Sequence, residues 1–192
     1  MNPTDRMPPL SDAEMTAEQR EAIADFKQTR GTLEFHGPFV PLLRSPELLR
    51  NAQRVGEYLR YRSALPQHLR ELAILVTARH WCQPYEWGIH APIAAEAGVS
   101  DAIIAAVADG RRPAEMAADQ ATLHDFCVEL LRNQSVSDPT YKAAVRHFTE
   151  HGVVDLVGIL GYYSLLAMVM NTARTALPET MSPSLQPLPH ED

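Results

Sequence analysis

Cysteine is scarce in this chain, with two among 192 residues, Cys82 and Cys127, set 45 positions apart. That spacing excludes a CxxC redox pair and a zinc knuckle, both of which need closely spaced thiols. Basic charge is short as well: 17 Lys and Arg stand against 24 Asp and Glu, for a net charge of −7. Sequence-independent nucleic-acid binding needs clustered cations to displace counterions, so nucleic acid is not an expected partner. Alternating β-branched runs are hard to find, which removes the all-β classes. The chain has no glycine-rich phosphate cradle, no HExxH, no GxSxG elbow and no Cys/His dyad at recognisable spacing. Neither a resident metal nor another cofactor is therefore expected. The opening MNPTDRMPPLSD has no apolar stretch behind a basic cluster, so no secretory signal is visible, and with so little cysteine the expected compartment is the cytoplasm.

What the chain does have is apolar spacing of three and four throughout, at a length that suits one domain able to bury its own core. The reading is all-α, a single-domain helical bundle over 16–177, flanked by extended tails at 1–15 and 178–192. Seven of the fifteen prolines sit in those tails, which suits segments that wrap a neighbour rather than fold alone. Thr16 caps a first helix over 16–30 that stops at Gly31. The linker EFHGPFVPLL keeps Gly37, Pro38 and Pro41 out of regular structure and exposes Phe35, His36 and Phe39 as pocket lining. Further helices follow at about 46–63, 66–82 and 84–97, the last containing Pro92, with an expected kink, and ending at Gly98. Ser100 or Asp101 caps a short helix to about 108; the rest span about 115–134, 139–150 and 153–176. In the helix at about 66–82 Leu69, Leu72, Ile74, Leu75 and Ala78 form the buried stripe.

The stretch from Leu156 to Ala173, LVGILGYYSLLAMVMNTA, carries no formal charge and is close to the minimum length of a membrane span. Two glycines, two tyrosines, Ser164, Asn171 and Thr172 dilute it, and its ends lack the Lys/Arg flank of a true span. It reads as a helix buried on most sides, in the core or at a subunit interface, with no membrane partner.

Chemistry concentrates in QPYEWGIHAP, residues 83–92. Glu86 and His90 lie four apart on one helix face, where a carboxylate can orient an imidazole and raise its basicity, the usual way of holding a general base. An ordinary polar face produces the same spacing. Tyr85 and Trp87 add apolar bodies around the pair, and Arg70-Glu71 opens the preceding helix. Other histidines suggest less: His147 and His151 fall on the polar side of their helix, His80 and His124 read as structural, and His36, His68 and His190 lie in loops or tails.

Residues 65–110, LPQHLRELAILVTARHWCQPYEWGIHAPIAAEAGVSDAIIAAVADG, resemble the carboxymuconolactone decarboxylase and alkylhydroperoxidase D superfamily. The pattern is an Arg-Glu opening a helix, an apolar run, a Tyr-Glu-Trp with His four after the Glu, then an Ala-rich helix, a Gly and a capped short helix. The resemblance extends more loosely through GPFVPLLRSPELL upstream and VDLVGILGYYSLLAMVMN downstream. It implies an all-helical fold assembled as a homo-oligomer, trimer or hexamer. In the peroxidase branch a CxxC reduces peroxide, assisted by a Glu on the previous helix and a His after the second Cys. Carried over, the Glu falls at Glu71 and the His at His90, while the two cysteine positions hold Gln83 and Glu86. Without a thiolate there, peroxide has no nucleophile and no disulfide can form.

The set that remains resembles the decarboxylase branch. It implies a cofactor-independent acid/base lyase or isomerase acting on a small carboxylated ring or lactone, of the kind met in aromatic compound catabolism. His90 would move the proton, Glu86 would orient it and Glu71 would serve as a second acid/base. Arg70 would bind a substrate carboxylate or pair with a neighbouring Glu, and Tyr85, Trp87, Phe35 and Phe39 would wall the pocket. Two alternatives stay open: a peroxidase-type oxidoreductase with peroxiredoxin activity, disfavoured by the missing CxxC, and a non-catalytic oligomeric small-molecule-binding protein.

Overall fold

The computed structural model describes residues 5–30, 35–178, 181 and 185–188. Among them there are eight helices and no strand: α1 (Ala17–Arg30), α2 (Phe39–Leu42), α3 (Pro46–Tyr61), α4 (Gln67–His80), α5 (Pro84–Glu96), α6 (Asp101–Ala108), α7 (Ala118–Asn133) and α8 (Asp138–Ala173). The expected stop at Gly31 lies outside the described residues, as do 1–4, 179–180, 182–184 and 189–192 of the tails.

Local chemistry explains most boundaries. Thr16 accepts from the Gln19 N–H while the Gln19 side chain accepts from the Thr16 N–H, a reciprocal capping box at the start of α1. Pro46 and Pro84 occupy the first turns of α3 and α5, where a missing N–H leaves nothing unpaired. Ser100 caps α6 through its side chain, and Gly98 takes φ 97 just past α5, as a C′ glycine should. α5 runs through Pro92 to Glu96.

One expectation changes. The linker is not wholly irregular, because Phe39–Leu42 makes one helical turn that includes Pro41; proline suits a turn too short to need its amide. The last two expected helices are both present as the two arms of α8, separated by a kink at Thr149, which sits at φ 63, ψ 171.

α4 is the centre of the molecule, touching α5, α6, α7 and α8, while α1 packs on α3 and α3 on α8. Every residue of α4 from Glu71 to Arg79 is buried, so the expected apolar stripe is part of a helix enclosed all round. α8 is long and apolar enough to cross a membrane, and 56% of its most apolar window is buried within this chain. Burial is thus incomplete: Val154, Val157 and Met168 remain exposed. The described tail residues lie against their own chain. Arg6 N–H donates to the Ala173 carbonyl at 2.7 Å, Arg44 donates to the Pro8 carbonyl, and Leu185 is buried in the core.

Thr149 occupies a backbone region that is essentially reserved for glycine, and such residues cost about 1–3 kcal/mol. Thr149→Gly should therefore raise stability by about 1 kcal/mol in a urea titration, moving the midpoint up with the slope unchanged. A lower midpoint would show that the break is held by the threonine side chain instead.

Candidate functional site

The turn between α4 and α5 sets the site. α4 ends in a Schellman arrangement: Cys82 takes φ 48, its N–H donates to the Arg79 carbonyl at 3.1 Å, and the Gln83 N–H donates to the Ala78 carbonyl at 2.9 Å. Gln83 then starts α5. Its side-chain oxygen accepts from the Tyr85 N–H at 2.7 Å, and its amide nitrogen donates to Asn171 of α8 at 2.8 Å. Asn171 in turn donates to the Trp81 carbonyl at 2.9 Å. One side chain therefore caps α5 and ties the turn to α8. Gly37 takes φ 60 where the linker crosses Tyr85, and a Cβ there would lie 2.7 Å from the ring.

On this frame α4 presents Glu71 and α5 presents His90, nineteen positions on. Nδ1 of His90 lies 2.7 Å from Oε2 of Glu71, with the two residues only 5% and 4% exposed. The ring of Tyr163, from α8, meets the imidazole edge-on at 5.1 Å between centroids. With Nδ1–H donated to Glu71, Nε2 of His90 makes no hydrogen bond among the described residues. The ring is oriented by one nitrogen and available at the other, the geometry of a held general acid/base.

The expected pairing of His90 with Glu86 is not formed. Both oxygens of Glu86 are buried, with no hydrogen-bond partner among the described residues. The i, i+4 spacing places two side chains on one face, but a ring at a helix–helix seam meets whichever carboxylate the neighbouring helix presents. Here that is Glu71, which takes the orienting contact expected of Glu86. Burial pushes the Glu86 carboxyl well above the usual carboxylate range, and burial likewise pushes up the Tyr163 phenol. Glu86 is thus an apolar-environment carboxylic acid, able to donate a proton, close in sequence to a polarised imidazole.

The other expected site residues divide. Tyr85 and Trp87 are buried, and the Tyr85 hydroxyl contacts Nδ1 of His36. Phe35 and Phe39 turn onto Phe26 of α1, with centroids 5.2 and 4.7 Å from its ring, so both join the aromatic core. Arg70 makes no ion pair among the described residues; it donates to the Leu65 carbonyl at 2.6 Å and closes its own helix start. An open cavity of about 600 Å³ exists elsewhere, beside Arg79, His80 and α7, and none of the expected site residues lines it. Among the described residues no group of three or more His, Cys, Asp or Glu side chains is placed to hold a metal ion. Tyr163 and Asn171 are the participants the sequence reading did not single out. Their only signal is that they are among the few polar side chains in the uncharged stretch from Leu156 to Ala173.

The raised Glu86 pKa has a definite sign. The folded protein keeps this proton where the unfolded chain, with a carboxyl near 4.5, has lost it, so stability falls as pH rises from about 4.5 toward the raised value. Glu86→Gln should remove that fall, leaving the variant more stable than the parent at alkaline pH and similar at acid pH. Equal slopes in denaturation measured across pH would show that Glu86 ionises normally.

No curated protein matches the chain. Residues 46–124, from the first turn of α3 into α7, match a family model, and the span holds Glu71, Glu86 and His90. That model is the Carboxymuconolactone decarboxylase family, which agrees with the resemblance carried by residues 65–110.

Proposed function

We propose that the protein is a cofactor-independent acid/base enzyme, a lyase or isomerase acting on a small carboxylated ring or lactone. The observation that carries this reading is the buried contact of 2.7 Å between Glu71 and His90, contributed by two helices, with a partnerless Glu86 on the same helix as the histidine. Nε2 of His90 would give or take the proton at carbon, and Glu71 would hold the ring and stabilise the imidazolium as it forms. Glu86, kept neutral by burial, would donate to a developing enolate oxygen. In the decarboxylating case the C–C bond to the carboxylate breaks, carbon dioxide leaves, the electron pair moves into the adjacent carbonyl, and a proton returns to the carbon.

Peroxide chemistry has weaker support. Gln83 is committed at both ends to structural hydrogen bonds, Glu86 is no thiol, and Cys127 is fully buried with its thiol pushed up by desolvation.

With a carboxylated γ-lactone as substrate, carbon dioxide release or solvent deuterium incorporation should be measurable, and His90→Gln should lower kcat by about 10²–10⁴. Glu71→Gln should lower kcat and shift its pH profile. Turnover untouched in His90→Gln, or none in the parent protein by either readout, overturns the proposal.

Assembly of like chains belongs to the same reading, supported by the exposed Val154, Val157 and Met168 on α8. Val154→Glu should reduce the molar mass seen by light scattering; an unchanged mass would place any contact elsewhere.

A further inference from the structure

We propose that the cavity between the C-terminal half of α4, α6 and α7 is a binding site for a small organic anion with an apolar body, separate from the acid/base site. Arg79, which lines it, lies eight residues beyond Glu71 on the same helix, about 12 Å along the axis. The volume of about 600 Å³ suits a ligand of that class.

The cavity wall carries positive charge that no described carboxylate answers. Four arginines line the cavity against Asp125 and Glu129, in a chain whose net charge is −7. Arg112 is answered by a bidentate contact with Asp125 at 2.7 and 2.8 Å, and Arg111 by Asp109 at 2.7 Å. Arg79 and Arg132 have no carboxylate partner among the described residues. Arg79 is only 6% exposed. Its Nη1 donates to the carbonyls of Ala108 and Gln186 at 3.0 and 2.7 Å, its Nη2 to Sγ of Cys82 at 3.0 Å, and its buried Nε has no partner among the described residues. A buried guanidinium without a counter-ion is costly, and an anion entering the cavity would supply one. Burial holds His80 and His124 in the same wall below their usual pKa, so at neutral pH the positive charge belongs to the arginines. Val76, Val107, Val128, Leu131 and Leu188 form the apolar surface that would take the rest of the ligand.

Cys82 is a built-in reporter, because it lines the cavity, is exposed and touches Arg79, whereas Cys127 is sealed in the core. Alkylation by iodoacetate, an anion, and by iodoacetamide, its neutral counterpart, should be compared on the folded protein and on free N-acetylcysteine. In both reactions the thiolate sulfur forms a bond to carbon and iodide leaves. The iodoacetate-to-iodoacetamide rate ratio should be about fivefold higher at Cys82 than for the free thiol, the upper range for one partly exposed charge pair. It should collapse in about 1 M salt, where screening reaches about 3 Å. Benzoate should protect Cys82 while benzamide does not, and Arg132→Gln, an exposed change on the rim, should reduce both the ratio and the protection. His90→Gln should change neither, which separates this site from the proposed reaction. A ratio equal to that of the free thiol, equal protection by benzamide, or protection lost with His90 rather than Arg132 would overturn the proposal.

Discussion

Because α4 is enclosed by four other helices, the polar groups on its buried stretch from Glu71 to Arg79 need partners inside the protein. The rest of the structure follows from how this is done. Thr77 turns back on the Ala73 carbonyl, Glu71 meets His90, and Arg79 gathers two backbone carbonyls and a sulfur. The first is a local solution of no chemical interest. The second leaves an oriented imidazole against the ring of Tyr163, and the third leaves a cation with no matching anion among the described residues. A single buried helix thereby carries two chemically different neighbourhoods, one toward each end.

Much of this arrangement was legible in the sequence because its signals are local. Thr16, Ser100, Gly98, Pro46 and Pro84 mark helix ends through hydrogen-bond needs that a few neighbouring residues satisfy. The positions of Glu71 and His90 were reachable through the resemblance, whose family is matched over residues 46–124. Their direct contact was not, since periodicity says which face a residue occupies and nothing about which carboxylate faces it across a seam. The same limit applies to Phe35 and Phe39. An exposed-looking linker turned its rings inward because Phe26 offers a buried aromatic surface, and burying rings outweighs keeping a glycine- and proline-rich segment extended.

At Thr149 the local pattern and the structure agree, but the residue does not suit the place. The sequence pattern separates two helices at about this point, and the chain leaves helical geometry there, at a residue that disfavours the conformation. The two arms differ in what they face. Ahead of the break only Ala144 and Phe148 are buried, whereas the arm behind it supplies Tyr163 to the imidazole and Asn171 to the α4–α5 turn. The break allows these arms to take separate directions, so the apolar one can be aimed at the site.

Gln83 and Glu86 occupy the positions where the resemblance puts the two cysteines of the peroxidase branch. A cysteine at 83 would lose the oxygen that caps α5 and the amide that holds Asn171, and a cysteine at 86 would remove the buried carboxyl. Converting the motif to thiols would thus dismantle a helix start and an interhelical tie at the same time. Such a change would leave Asn171, and the carbonyl of Trp81 that it serves, to be answered in another way, so residue 83 cannot be exchanged without disturbing the framework that joins α5 to α8.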